Sequence, residues 1–137
     1  MIARTWRGTT DAEMAQDYAD YLTRTGFLAF AETTGNRGAV GLRRIQGGRA
    51  EFVVISLWES RAAVTRFAGP QPDRAVFFPE DERFLVERDG HADHFDVVYA
   101  DLQRPSVMRR LIRRWFATWR HVVRGVPANG WRLAAFR

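Results

Sequence analysis

The run Phe52-Val53-Val54-Ile55-Ser56-Leu57 is apolar at nearly every position and stops abruptly at Trp58-Glu59-Ser60. At the two-residue period of a strand, Val53, Ile55 and Leu57 point to one face and Phe52 and Val54 to the other, so neither face can be left in water. The chain's own helices cover one face. A second copy of the chain is the expected cover for the other, which makes a homodimer through the sheet face the first expectation.

The remaining elements follow from breaks and periodicities. Ile2 to Arg7 reads as a strand broken by Gly8. Thr10 with Glu13 reads as a capping box, opening a helix whose apolar stripe is Met14, Tyr18 and Tyr21 or Leu22 and whose stop is Gly26. Gly35-Asn36-Arg37-Gly38 is a turn, Ala39 to Ile45 a strand, Gly47-Gly48 a tight hairpin and Glu51 to Leu57 its partner. Ser60 caps the next helix, which carries Ala63, Val64 and Phe67 and ends at Gly69-Pro70. Pro79 begins a short acidic turn, and Phe95 to Tyr99 is the last strand. The order β-α-β-β-α-β is ferredoxin-like: an α+β fold with a four-stranded antiparallel sheet and both helices on one face.

Charge divides the chain. All 21 basic residues are Arg; residues 1–100 hold 12 of them against 15 Asp and Glu, whereas residues 101–137 hold 9 against Asp101 alone. The expected domains are therefore a body over residues 1–100 and a basic tail over 101–137. An acidic body lacks the gathered cations that nucleic-acid binding needs, so no nucleic-acid partner is expected. Within the tail, Pro105-Ser106 starts a predicted helix with Leu111, Ile112, Trp115, Phe116 and Trp119 on one face and Arg109, Arg110, Arg113, Arg114 and Arg120 on the other. Residues 105–124 so pack on their own dimer, lie on an anionic membrane surface or dock into an acidic partner; an unselected extension of the reading frame is the remaining reading. The chain lacks cysteine, which excludes disulfides, thiolate metal sites and a thiol nucleophile. No signal-peptide layout and no apolar run of about 20 residues is present, and a cytoplasmic protein is expected.

Several side chains offer chemistry. His94 and Asp96, two apart on a strand, share a face and make an imidazole oriented by a carboxylate, the arrangement of a general base; the same residues also read as a polar strand start. Arg4 lies mid-strand, where a charge needs a partner, either an acidic or phenolate ligand or a carboxylate such as Asp96. Trp58 brings an indole N–H and a ring for stacking on an aromatic ligand, or serves as core. Trp6, Tyr18 and Tyr21 line a pocket or fill the core. His91 and His94, three apart on a strand, point to opposite faces, and no metal site is expected. Neither a phosphate-cradling glycine loop nor a serine triad is visible.

Leu57-Trp58-Glu59-Ser60 at the end of the third strand, the Ala-Val-x-x-Phe helix after it and Phe78-Pro79-Glu80-Asp81-Glu82-Arg83 resemble the antibiotic biosynthesis monooxygenase family of the dimeric α+β barrel superfamily, over residues 1 to about 100. The resemblance implies a homodimer with facing sheets and a pocket between sheet and helices in each subunit, binding a small aromatic or polyketide-like ligand. It also implies oxidation of such phenols by molecular oxygen without flavin or metal, so no cofactor is expected. His94 is then the base, Trp58 and Arg4 hold the resulting anion, and Trp6, Tyr18, Tyr21, Asp96 and Phe67 contact the substrate. In the quinone-forming branch the Trp at the position of Trp58 acts with an Asn four residues earlier, here Val54. The haem-degrading branch carries a Trp and a His where this chain has Phe67 and Phe77, and an Asn in strand one that this chain lacks, so haem degradation is not expected. The competing expectations are a ligand-binding or stress-response barrel without catalysis, and an interaction protein recruited through its tail.

Overall fold

A computed structural model describes residues 1–102. Met1 to Tyr99 form one compact unit. The tail helix expected over residues 105–124 lies outside the described residues.

The first strand, β1 (Ile2–Asp11), runs through Gly8 rather than ending there. A Cβ at Gly8 would come within 2.5 Å of the Trp6 ring and 2.9 Å of the Leu85 side chain. The glycine is thus a packing site for Trp6, and ladder bonds on both sides carry the strand past it. Thr10 consequently sits in the strand and its hydroxyl bonds to the Asp11 carbonyl, so the expected capping box does not form.

After a 3-10 turn, helix α1 (Ala15–Leu22) leads without a stop into a π-helical turn, Thr23–Phe27, and on into α2 (Leu28–Glu32). Gly26, expected to end the helix, is buried inside that wider turn. The hydroxyls of Thr23 and Thr25 bond back to the carbonyls of Ala19 and Tyr21, contacts of the kind that bend helices.

Strands β2 (Asn36–Gln46) and β3 (Arg49–Trp58) form the expected hairpin, with Gly47 and Gly48 at φ 59° and 76° supplying the left-handed pair a two-residue turn requires. Helix α3 (Arg61–Ala68) starts at Ser60, whose Oγ accepts from the Ala63 N–H, and ends at Gly69. A one-turn helix α4 (Asp81–Phe84) runs directly into β4 (Leu85–Arg88), which the sequence reading missed, and β5 (Asp93–Asp96) follows.

The sheet order is β2-β3-β1-β4, with β5 also on β1 and all pairings antiparallel. The fourth strand of the ferredoxin-like sheet is therefore split: β4 pairs with Gly8 to Thr10, and β5 with Ile2 to Thr5. At the split, Ala75 N–H donates to the Gly90 carbonyl and Ala92 N–H to that of Asp73. The interruption lets the segment between α3 and α4 run against the sheet instead of looping into solvent.

Burial along β3 alternates as expected. Ala50, Phe52, Val54, Ser56 and Trp58 are buried beneath the helices, while Glu51, Val53, Ile55 and Leu57 are only half-buried on the opposite face. Beside them on that face stand Val40, Leu42 and Phe95, 46%, 48% and 56% exposed. Among the described residues nothing covers this largely apolar sheet face.

Candidate active site

Between the helix-covered side of the sheet and the helices lies a cavity of about 40 Å³, widening to about 490 Å³ of empty space with its mouth. Its floor is Arg4 and Trp6 of β1 with Val54 and Ser56 of β3; Tyr18, Phe27 and Phe30 come from the long helix, Phe67 from α3, and Phe78 and Asp81 from the segment before β4.

Arg4 is the charge in this floor. Only 4% exposed, it stands opposite Ser56 on one side and His94 on the other. The expected partner, Asp96, is not its neighbour: Asp96 is opposite Ile2 and exposed. Instead Nη2 donates to the Arg74 carbonyl at 2.7 Å and Nε to the Pro72 carbonyl at 3.4 Å, while the guanidinium lies 5.5 Å above the Phe67 ring. No carboxylate lies within salt-bridge distance among the described residues, and Nη1 has no hydrogen-bond partner there. Burial pulls the group below the ordinary arginine value, opposed by the field of Asp73. Two carbonyls and a ring face orient the cation without neutralising it.

Trp58 lies beneath this layer. It is fully buried, donates its indole N–H to Ser56 Oγ at 2.9 Å and stacks on Phe67 with centroids 5.6 Å apart. It does not line the cavity, and its only donor is in use. The following residues of the signature are also committed to the fold: Glu59 pairs with Arg37 at 2.8 Å and Ser60 caps α3.

His94 lies on the same face as Arg4 but outside the cavity wall, so His94 and Trp58 do not meet around one space. The carboxylate orienting its imidazole is Asp73, with Oδ1 3.1 Å from Nδ1, and not Asp96. Burial and the cations Arg4 and Arg61 lower its pKa, opposed by Asp73, and Nε2 is buried without a partner among the described residues. A neutral imidazole donating through Nδ1 accounts for this pattern. Its structural effect is to tie the segment 70–78 to the sheet.

Trp6, Tyr18 and Phe67 line the cavity with Arg4. Tyr21 does not: its hydroxyl accepts from the Glu80 N–H at 2.9 Å and its ring packs on Phe84. The Trp6 indole donates to the Asp89 carbonyl at 2.8 Å. A residue the sequence reading left inside an acidic turn completes the wall. Asp81, 3% exposed, accepts from the Phe78 N–H at 2.6 Å through Oδ2, and the Tyr18 hydroxyl lies 3.4 Å from Oδ1. Burial raises the Asp81 pKa, against the lowering effects of the Phe78 and Tyr18 bonds and of Arg88. Burial and the adjacent carboxylate push the Tyr18 phenol well above its ordinary value, so it stays protonated. The wall thus carries a buried cation and a buried carboxyl that do not pair with each other.

Among the described residues no group of three His, Asp or Glu side chains could hold a metal ion, and no helix is long and apolar enough to cross a membrane.

No family model matches the sequence, and neither does any curated protein. Solved structures do match. One named as an antibiotic biosynthesis monooxygenase of Bacillus cereus superposes with a TM-score of 0.52 at 16% identity, covering 74% of this chain and 96% of that one. Another of the same name from Nitrosomonas europaea gives 0.52 at 13%, covering 72% and 100%. The haem degrader MhuD of Mycobacterium tuberculosis, solved with two haems in its active site, gives 0.50 at 19%, covering 74% and 100%. At these identities the likeness is one of fold, and the body of this chain has the ferredoxin-like α+β fold of antibiotic biosynthesis monooxygenase-type structures.

Proposed function

We propose that the chain is a cytoplasmic, cofactor-independent monooxygenase-like protein of the antibiotic biosynthesis monooxygenase group, acting as a homodimer on a small aromatic substrate. The observation that carries this reading is the aromatic-walled cavity with Arg4 in its floor, a cation without a carboxylate partner among the described residues. Such a cation holds an anionic aromatic ligand in place for oxidation, whether the charge is a phenolate's or a ring carboxylate's. The reaction converts a phenol with a free ring position and O2 into a quinone and water: one oxygen atom becomes a ring carbonyl and the other leaves as water, with hydrogens from the ring C–H and the phenol O–H.

Within the reading, Arg4 holds the anion and Trp6, Tyr18 and Phe67 hold the ring. Trp58 acts from behind by fixing Phe67, and His94 by holding the segment that carries Val76 and Phe78. A cavity of about 40 Å³ has room for only about three waters, so even one ring enters only as the side chains lining it move. A single-ring substrate is therefore favoured over a fused polyketide. Haem, the ligand in the MhuD structure, fits poorly: the cavity lining contains no His, Cys or Met, and Tyr18 is held protonated, so no axial ligand is offered.

The test is oxygen uptake with a panel of single-ring and fused-ring phenols, without added flavin or metal. Uptake matched by quinone formation, reduced at least tenfold in Arg4→Gln, is expected. One observation favours a second reading, a binding protein without catalysis: Val54, the place of the Asn in the quinone-forming branch, lies in the cavity wall and is apolar. Tight phenol binding without oxygen uptake by the wild type would establish that reading instead.

A further inference from the structure

We infer that the cavity selects a hydroxyaromatic acid, with the anionic group of the ligand at Arg4 and its hydroxyl hydrogen-bonded to the carboxylate of Asp81. The inference rests on the oxygenase reading and names its substrate class: the anion at Arg4 is the carboxylate of the substrate, and Asp81, at the other end, receives the phenol proton.

The cavity wall carries opposite polar groups that do not satisfy each other. Arg4 is fastened to the backbone at Pro72 and Arg74, and Asp81 to the Phe78 N–H and Tyr18; no ion pair joins them. Arg4 stands at the Ser56 register of the sheet, whereas Asp81 is bonded to Tyr18, whose ring packs on Phe52, paired with Gly8 four residues farther along β1, which places the two at separate ends. Trp6 and Val54 occupy the register position between the two, and Phe30 and Phe67 add aromatic surface to the same cavity. A ligand complementary to this surface is flat and apolar in the middle, anionic at one end and a hydrogen-bond donor at the other. A hydroxybenzoate has that form. A plain phenol satisfies one end only and leaves the other polar group desolvated and unmatched.

The geometry also suits proton transfer. The Phe78 N–H occupies Oδ2 of Asp81, which leaves Oδ1, shared with the Tyr18 hydroxyl at a long 3.4 Å, as the weaker-held oxygen. Tyr18 and Tyr21 from the long helix, Arg88 from β4, and Glu80, Glu82 and Arg83 on its own turn are the titratable and charged groups around it. Of these, Tyr18 and Arg88 favour the carboxylate against burial. A carboxyl whose burial raises its pKa is a stronger base than a surface aspartate and is still ionised once the pH exceeds its shifted value.

The experiment is calorimetric binding of 4-hydroxybenzoate and benzoate to the full chain between pH 4 and pH 8. Wild type is expected to bind 4-hydroxybenzoate at least tenfold more tightly than benzoate, with the preference growing as pH rises through the Asp81 transition. Asp81→Asn keeps the acceptor for Phe78 and should abolish the preference while leaving benzoate affinity within about twofold; Arg4→Gln should weaken both ligands at least tenfold. Tyr18→Phe removes a bond that favours the carboxylate and should move the pH midpoint of the preference upward, a shift that a purely structural Asp81 would not give. Equal affinity of wild type for the two acids, no binding of either, or an unchanged preference in a folded Asp81→Asn would each overturn the inference. Preferential binding without oxygen uptake would leave it standing and remove only the oxygenase reading.

Discussion

Ile55→Glu should abolish the proposed self-association while leaving the subunit folded. Ile55 is in the middle of the sheet face that the described residues leave open, opposite Thr5 on β1 and Val40 on β2. Around it Val40, Leu42 and Phe95 are about half exposed, and covering the exposed half of each would contribute about 1 kcal/mol, from the 1.5–3 kcal/mol of complete burial. Val53, Ile55 and Leu57, more buried already, would add about 0.5 kcal/mol each. Two copies together gain about 9 kcal/mol, within the range that association costs. An interface so balanced cannot absorb a charge. In a two-fold dimer the substitution occurs twice, and each unpaired carboxylate taken from water costs several kcal/mol, so the dissociation constant should rise at least 1,000-fold, about 4 kcal/mol. The cost to the lone subunit is about 1 kcal/mol, the scale of strand propensity, because this face is not its core. Sedimentation equilibrium over a wide concentration range reads the association, and circular dichroism reads the fold. A wild-type protein monomeric at every concentration, or a folded Ile55→Glu protein that dimerises as the wild type does, would refute the reasoning.

Other outcomes follow from single contacts. Gly8→Ala would push a methyl group into the Trp6 ring and should destabilise the fold by about 1–3 kcal/mol, seen in thermal unfolding together with an altered tryptophan emission spectrum. Ser60→Ala removes the hydroxyl that accepts from Ala63 and should cost about 1 kcal/mol in denaturant unfolding. The His94 pKa is lowered below its ordinary 6.5, so the neutral form favours folding; that contribution is present above pH 6.5 and lost as pH falls below it toward the shifted value. His94→Gln should therefore flatten the rise of melting temperature with pH in that window, and an unchanged slope would show that His94 is not responsible. Arg4→Met strips the Pro72 and Arg74 carbonyls of their donor and should speed hydrogen exchange and proteolysis in residues 70–78 ahead of the rest of the body.

What the sequence disclosed was local. Gly47-Gly48, the Ser60 cap and the two faces of β3 are decided within a few residues, and each was readable. Gly8 and Gly26 misled because a glycine signals a break only until a neighbour fills the place of its missing side chain: the Trp6 ring lies over Gly8, and Gly26 is buried in the helix near Phe78. The unexpected β4 and the earlier, shorter β5 share one cause, the pairing of Gly90 and Ala92 with a segment fifteen to nineteen residues earlier, which no periodicity encodes. The need of Arg4 for a partner was legible, but its partners are carbonyls of that same distant segment. His94 likewise found its carboxylate at Asp73 and not two residues away. Asp81 was hidden because in a run of acidic residues only the folded chain tells which one is buried.

The π-helical turn at Thr23–Phe27 implies a way for the pocket to change size without any change in its chemistry. A wide turn holds one residue more than an α-turn, and removing that residue would rotate everything after it by about 100° around the helix axis. Phe27 and Phe30, both in the cavity wall, lie at or beyond the turn, whereas Tyr18 precedes it. A one-residue deletion near Gly26 would thus carry two phenylalanines off the wall and leave Arg4, Tyr18 and Asp81 where they are. In such a chain, ligand size is set by helix register and ligand charge by the sheet, and the two can drift independently.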